Sequence, residues 1–170
     1  ILRQDPDVIL VGEIRDYETL EVAISASLTG HFVLSTIHTN SAAATVTRLI
    51  EMGAKDYLIS STLNGVLAQR LVKKLCPDCK RPYKPTEEDA RKILTDPERI
   101  KQLMETTLYR AEGCPNCGGT GYKGRLALLE ILVVTKEIKK LIAAHAHDSE
   151  IEEPAVKNGI KAFPLLKTLL

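Results

Sequence analysis

The four cysteines of this chain occur as two Cys-x-x-Cys pairs, Cys76 with Cys79 and Cys114 with Cys117. Each pair can present two thiolates to one ion, and two pairs complete the all-cysteine ligand set typical of a structural zinc site. A single pair could instead be a redox dithiol, so disulfide or redox chemistry is the alternative. Because no cysteine is left over and four protein ligands leave no open position, the spacing favours structural rather than catalytic Zn2+.

The second candidate for chemistry is the carboxylate of Glu13. It follows four consecutive apolar residues, 8–11, which predict a short strand buried on both faces, as in a parallel sheet. Ligands of open α/β folds bind at the carboxyl edge of the strands, where Glu13 is expected. A carboxylate there can orient a water or bind Mg2+ through water. A solvated loop acid is the alternative interpretation.

His38 follows a second apolar run, residues 32–37, and a helical pattern lies between the two runs. Strand, helix and strand predict a βαβ unit with parallel strands, so Glu13 and His38 should meet at the same sheet edge. His38 could bond a terminal phosphate, or could simply neighbour the cap of the next helix. His31, at the other end of the run, should lie roughly 20 Å from His38 at about 3.3 Å per residue. The alternative for His31 is a satisfied histidine after a helix-ending glycine.

Further helices are predicted beyond this unit. Helical spacing indicates a helix over residues 42–52 and a longer pattern over 57–72, either one helix or two short ones with an extended end. A separate unit covers residues 76–117, in which Thr86 should cap an acidic helix.

The last part of the chain mixes clear and ambiguous signals. Five glycines within residues 113–125 predict a tight irregular loop, and residues 126–134 predict a strand. Thr135 should then cap a short helix. The tail from Asp148 is ambiguous. The capping-box spacing at its start suggests a helix, but Pro154 disfavours one.

Composition excludes several classes. The 170 residues are 44% hydrophobic and 4% aromatic with a net charge of +1, which argues against nucleic-acid binding by charge or base stacking. No apolar run approaches the roughly 20 residues that span a bilayer. No Gly-x-x-x-x-Gly-Lys-Ser/Thr phosphate loop occurs. Since the first residues already read as the middle of a domain, we expect a piece of a larger protein.

Two stretches resemble a known family. Residues 2–19, LRQDPDVILVGEIRDYET, look like the Walker B region of the secretion ATPases, and residues 29–40, TGHFVLSTIHTN, resemble their His box. That family drives type II secretion and type IV pilus assembly and retraction. The likeness extends through the paired cysteines and GYKGR at residues 121–125. The tetracysteine unit points to the type II secretion and pilus-assembly members rather than the retraction ATPases.

The resemblance implies an architecture. The fold class would be α/β, the C-terminal half of a RecA-like parallel-sheet ATPase domain with an inserted tetracysteine zinc subdomain and a helical C-terminal tail. Residues 1–75 would be the C-terminal part of the ATPase core, 76–125 the metal-binding subdomain, and 126–170 a strand followed by helices.

The resemblance also implies site residues, cofactors and partners. Glu13 would be the catalytic Walker B acid, with His31 and His38 beside the nucleotide, so that ATP and Mg2+ join Zn2+ as cofactors. The full-length protein would be a homohexameric ATPase, cytoplasmic and peripheral at the inner membrane, which contacts a platform or anchoring protein and no nucleic acid. The family's Walker A loop and arginine fingers would precede residue 1, so we expect this chain alone to be inactive. The alternative is a zinc-ribbon module that binds protein or nucleic acid without enzymatic activity.

Overall fold

Residues 6–157 are described by the computed structural model, and their folding confirms the α/β class. They fall into two units. The first unit consists of residues 6–68 and 129–157, and the second of residues 69–128. Among the described residues, no helix is both long and apolar enough to cross a membrane.

The first unit begins with the predicted βαβ arrangement. Strand β1 (Val8–Val11) and strand β2 (Phe32–Ser35) pair in parallel, with Val8 opposite Phe32, and helix α1 (Tyr17–Leu28) connects them. Because paired parallel strands end side by side, the segments that follow β1 and β2 leave the sheet at one edge.

Side-chain caps start the first two helices. Asp16 accepts a hydrogen bond from the backbone N–H of Thr19 at 2.8 Å at the start of α1. Ser41 accepts one from Ala44 at 3.1 Å and starts helix α2 (Ala42–Glu51). These oxygens satisfy backbone donors that the first helical turn leaves without an internal partner.

The expected burial of both strands on both faces is wrong. Leu10 is 74% exposed and Phe32 52% exposed, whereas their neighbours Ile9 and Val33 are half-buried. The sheet that contains β1 and β2 has two strands in the described part of the chain, and successive side chains of a strand point to opposite faces. One face of each strand therefore remains accessible.

The helical pattern over residues 57–72 is confirmed only at its start, and the extended end expected at residues 69–72 is confirmed as part of a longer strand. Helix α3 (Asp56–Thr62) ends early, and strand β3 (Gly65–Leu75) follows and pairs with strand β6 (Tyr122–Val133). The Asn64–Gly65 step breaks the helix, and pairing with a distant strand supplies backbone hydrogen bonds that local spacing cannot reveal. Within the first unit, the N–H of Val134 donates to the carbonyl of Asn64 at 3.0 Å.

Two helices complete the first unit. Helix α6 (Lys136–Ala143) is capped by Thr135 as predicted, but helix α7 (Asp148–Lys157) forms although Pro154 lies inside it. Ile151 and Ala155 of α7 are buried in the core, and this packing offsets the hydrogen bond that proline cannot make. The core joins aliphatic side chains of helices α1, α2, α3, α6 and α7 with those of β6; its members include Leu20, Ile24, Val46, Leu49, Ile59, Leu132, Ile138, Ile142 and Ile151.

The second unit contains the expected helical excursion between the cysteine pairs. Helix α4 (Glu87–Ile93) and helix α5 (Pro97–Glu105) lie between strands β4 (Arg81–Tyr83) and β5 (Leu108–Arg110), which pair antiparallel. Thr86 and Asp89 form a reciprocal capping box at the start of α4, in agreement with the predicted cap.

The glycine-rich segment 113–125 is more regular than expected. Pro115–Cys117 forms a 3-10 turn, and β6 already begins at Tyr122. The N–H of Cys76 donates to the carbonyl of Gly121 at 2.9 Å, which extends the ladder to the edge of the cysteine cluster. Backbone pairing therefore overrides the low strand propensity of these glycines.

Candidate functional site

The first site lies at the carboxyl edge of β1 and β2. Beyond the strands, the N–H of Ile14 donates to the carbonyl of Thr36 at 2.9 Å, and the hydroxyl of Thr36 donates to the carbonyl of Gly12 at 2.8 Å. These two bonds join the segment after β1 to the segment after β2. They fix the relative position of the side chains that follow.

Glu13 and His38 meet at this edge, as the parallel arrangement predicts. The Nε2 atom of His38 lies 3.0 Å from Oε1 of Glu13. The side chain of Glu13 is 21% exposed, whereas that of His38 is 91% exposed. The carboxylate is thus partly sheltered, while most of the imidazole faces outward and is accessible to a ligand.

Arg15 holds the other oxygen of Glu13, a contact that the sequence analysis did not predict. Its Nε and Nη2 atoms lie 2.7 and 2.6 Å from Oε2 of Glu13. The hydrogen bond from Arg15, together with the charges of Arg15 and His38, lowers the pKa of the Glu13 carboxyl below its ordinary value, against a smaller opposing effect of burial. Glu13 is therefore ionised at neutral pH. The Glu-x-Arg spacing is the sequence feature that could have predicted the contact between Arg15 and Glu13.

His31 lies at the opposite end of β2 and is engaged there. Its Nδ1 atom is 3.1 Å from the carbonyl oxygen of Ala26 and 3.1 Å from the hydroxyl of Thr29, at the C-terminal end of α1. The structure thus brings His38, but not His31, into contact with Glu13. The Nε2 atom of His31 is the ring nitrogen that these contacts leave for another partner.

The second site is the four-cysteine cluster of the second unit. All four Sγ atoms lie within 4.8 Å of one another. Cys76 and Cys114 are 3.9 Å apart, Cys79 and Cys117 are 3.9 Å apart, and Cys114 and Cys117 are 3.7 Å apart at sulfur. Four sulfurs at the usual 2.3 Å from one tetrahedral zinc would be separated by about 3.8 Å. The donor set and its spacing therefore fit a tetrahedral metal ion.

The thiols of the cluster have unequal surroundings. Backbone N–H groups of Cys114 and Gly121 each donate to Sγ of Cys117 at 3.2 Å. These bonds lower the pKa of Cys117 to about 6, and the bond from Cys114 has the stronger effect. Burial instead raises the pKa of Cys79 to about 12. A full set of four thiolates therefore needs a cation to balance its charge.

The two cysteine turns are also joined directly. Asp78 lies between the cysteines of the first pair and Asn116 between those of the second, and the amide nitrogen of Asn116 donates to Oδ2 of Asp78 at 3.3 Å. Sγ of Cys76 lies 3.9 Å from the same carboxylate oxygen. Sequence analysis did not identify this contact, although both residues occupy the third position of their Cys-Pro-x-Cys motifs.

Two glycines permit the close packing of the second cysteine turn. A Cβ at Gly113 would lie 2.5 Å from the carbonyl oxygen of Gly119, and one at Gly121 would lie 2.6 Å from Cβ of Ala111. Both glycines also adopt positive φ angles, 110° and 73°. No L-side chain fits either position without displacing the backbone that surrounds the cluster.

These elements define an α/β protein with an acid–histidine pair at a parallel strand edge and a tetracysteine cluster suited to a metal. The family model of the type II/IV secretion system proteins matches residues 1–164, and the chain belongs to this family.

Two relatives are identical to this chain at about half of the matched positions. The type II secretion system ATPase E of Vibrio cholerae is 52% identical over 153 residues, which cover 90% of this chain and 29% of that protein. The type IV pilus assembly ATPase PilB of Thermus thermophilus is 50% identical over 163 residues, which cover 95% of this chain and 18% of that protein. The chain thus spans less than a third of the length of either relative.

Solved structures confirm the fold class. The ATPase DotB of Legionella pneumophila matches with a TM-score of 0.52 and 25% identity over 92% of this chain and 31% of its own. The DotB ATPase of Yersinia pseudotuberculosis matches with a TM-score of 0.53 and 22% identity over 98% of this chain and 37% of its own, a likeness of fold alone. The chain therefore shares its fold with part of the DotB ATPases, and it carries a tetracysteine group.

Proposed function

We propose that this chain supplies one half of the nucleotide site of a motor ATPase that couples ATP hydrolysis to type II protein secretion or type IV pilus assembly. The contact between Glu13 and His38 at the carboxyl edge of parallel strands carries the proposal. Ligands of open α/β sheets bind at this edge, and the relatives named as ATPases suggest the reaction class.

Each residue of the edge has a proposed task. Glu13, kept ionised by Arg15, accepts a hydrogen bond from the attacking water and orients it. His38, which is largely exposed, bonds an oxygen of the terminal phosphate. His31 lies away from this edge, at the opposite end of β2; its proposed contact with nucleotide rests on the family resemblance and would use Nε2, because Ala26 and Thr29 engage its Nδ1. Mg2+, when bound, would neutralise charge on the phosphates.

The phosphate loop must come from elsewhere in the full-length protein. Because residues 1–170 contain no Gly-x-x-x-x-Gly-Lys-Ser/Thr sequence, we propose that this chain alone neither binds ATP tightly nor hydrolyses it. Steady turnover by the purified 170-residue chain, sensitive to Glu13→Gln, would contradict this part of the proposal.

Structural Zn2+ is the proposed occupant of the cysteine cluster. Cys76, Cys79, Cys114 and Cys117 would hold it, because thiolates are preferred ligands of zinc and the sulfur spacing fits a tetrahedral ion. Four protein ligands close the site to substrate. The ion would thus stabilise the fold of the second unit rather than take part in hydrolysis.

The wider assignments rest on the family. We propose a homohexamer in the cytoplasm, held at the inner membrane through a platform or anchoring protein, with no nucleic-acid partner. The segments 1–75, 76–125 and 126–170 are proposed as ATPase core, metal-binding subdomain and C-terminal strand with helices. A zinc-ribbon module without activity is the weaker alternative, since it gives no role to the Glu13–His38 pair.

The decisive experiment is Glu13→Gln in the full-length protein. The amide keeps the shape of the side chain but removes its charge, so kcat should fall roughly 100-fold or more while the Kd for ATP changes less than about threefold. Glu18→Gln, which alters an exposed acid in the first turn of α1, is the matched control and should leave kcat within about twofold. Turnover by Glu13→Gln equal to that of the control would overturn the proposal.

A further inference from the structure

Glu130 is a carboxylate on the inward side of an apolar strand. It lies in β6, near Leu132 of the same strand and Val134 directly after it, which are 2% and 7% exposed and belong to the core of the first unit. Because side chains alternate along a strand, Glu130 shares the face of these two residues, whereas Ile131 and Val133 point outward and are exposed. An acid on the core side requires a polar partner.

The partner of Glu130 is the backbone at the start of α2. Its Oε1 atom accepts a hydrogen bond from the N–H of Ala42 at 3.0 Å, across 88 positions of sequence. Ala42 itself is 1% exposed, so water cannot readily replace the carboxylate. The first turn of α2 contains no acidic residue of its own. Glu130 thus supplies the negative charge that a helix N-terminus favours, from a strand far along the chain.

The start of α2 is also the end of the segment that carries His38. Thr36 is bonded to Gly12 at one end of this segment. At the other end, the hydroxyls of Thr39 and Thr45 are 2.8 Å apart, and Ser41 caps α2. His38 therefore lies between an anchor on the segment after β1 and an anchor on α2, and Glu130 bonds the residue directly after the cap.

We infer that Glu130 is a positioning residue for the nucleotide site: its hydrogen bond to Ala42 fastens segment 36–41 and thereby holds His38 against Glu13. The inference rests on the proposed function for its link to turnover. Its structural part concerns only the mobility of segment 36–41. A displacement of about 1 Å in a catalytic arrangement is enough to slow turnover substantially.

The test compares Glu130→Ala with Glu130→Gln in the full-length protein. Glu130→Ala should lower kcat about tenfold with less than a threefold change in KM for ATP, and should speed amide exchange in residues 36–42 about tenfold or more. Glu130→Gln keeps an oxygen that can accept from Ala42, so it should retain at least half of the wild-type kcat and normal exchange. Glu88→Ala removes an exposed acid of α4 and serves as the control.

The outcomes separate this inference from the proposed function. Wild-type kcat and exchange in Glu130→Ala, or equal damage in Glu130→Gln, would overturn the positioning role even if Glu13→Gln abolishes turnover. Conversely, full turnover by Glu13→Gln would overturn the proposed function. Even then, faster amide exchange confined to residues 36–42 in Glu130→Ala would support the conclusion that Glu130 fastens this segment. If Glu130→Ala does not fold, Glu130→Asp replaces it; its shorter side chain should reproduce the kcat loss.

Discussion

His38 Nε2 lies 3.0 Å from Glu13 Oε1, while Arg15 occupies Oε2 of the same carboxylate. One carboxylate thus has a separate partner on each oxygen, one from its own segment and one from the segment after the neighbouring strand. The two contacts define the orientation of Glu13 at the sheet edge before any ligand arrives. Preorganisation of this kind reduces the reorganisation that a reaction would otherwise require.

Replacing Arg15 should change the titration of Glu13. In the native protein the hydrogen bond from Arg15 is the largest cause that keeps the pKa of Glu13 below its ordinary value of 4.5. The contribution of this hydrogen bond to the stability of the folded protein is therefore present above the ordinary pKa of Glu13. It is lost as the pH falls through the lowered pKa of the folded state. Arg15→Ala should raise the pKa of Glu13, measured by the carboxyl carbon shift in an NMR titration. Arg48→Ala, which disrupts a pair with Glu51, is the control and should leave that pKa unchanged. An unchanged titration in Arg15→Ala would show that Arg15 does not set the charge of Glu13.

Removing the metal should unfold the turns around the cysteines. Protein purified under reducing conditions should contain about one zinc per chain, and a strong chelator should release it with loss of amide protection over residues 113–121. Cys117→Ser should bind zinc far more weakly, because it replaces a thiolate with a poor ligand. Metal analysis and hydrogen exchange measure both effects. Reduced protein without zinc, yet with protected turns, would refute the assignment.

The bond between Asn116 and Asp78 should tune metal affinity. Asp78→Ala removes the acceptor that joins the two cysteine turns, and loss of such outer contacts usually costs about tenfold or more in affinity. Competition with a chromophoric chelator measures the change. Glu105→Gln, at an exposed position of α5, should have no effect. Equal affinity in Asp78→Ala and wild type would mean that the cysteines alone hold the turns in place.

Replacing Pro154 should stabilise the first unit. Proline in a helix interior removes a hydrogen bond and crowds the carbonyl four residues earlier, at a cost of up to about 3 kcal/mol. Pro154→Ala should therefore raise the free energy of unfolding by roughly 1–3 kcal/mol in a urea titration. Ile138→Ala, which leaves a cavity at a fully buried core position, should lower the free energy of unfolding by about 2–5 kcal/mol. It serves as the reference for a destabilising change. A loss of stability in Pro154→Ala would show that the proline fits its position better than a helical alanine.

Local chemistry made much of the fold predictable. Thr86 and Thr135 cap helices where the sequence predicts them, and the parallel strands bring Glu13 to His38 as expected. These features depend on near neighbours or on one simple topological rule.

Other features depend on partners far along the chain. Strand β3 exists because β6 pairs with it, and α7 tolerates Pro154 because Ile151 is buried in a core built from other elements. Likewise, Glu130 acquires its role only from the position of Ala42. Part of the tail, residues 158–170, lies outside the described residues, so its expected helices stay a prediction.

The glycines of the second cysteine turn have an evolutionary consequence. Gly113 and Gly121 are required by the backbone that meets them, not by the ion. A descendant that exchanged its four cysteines for an apolar plug could lose the metal and still need both glycines to close the same turn. In family members whose cysteines have been replaced, the two glycines should therefore still be present.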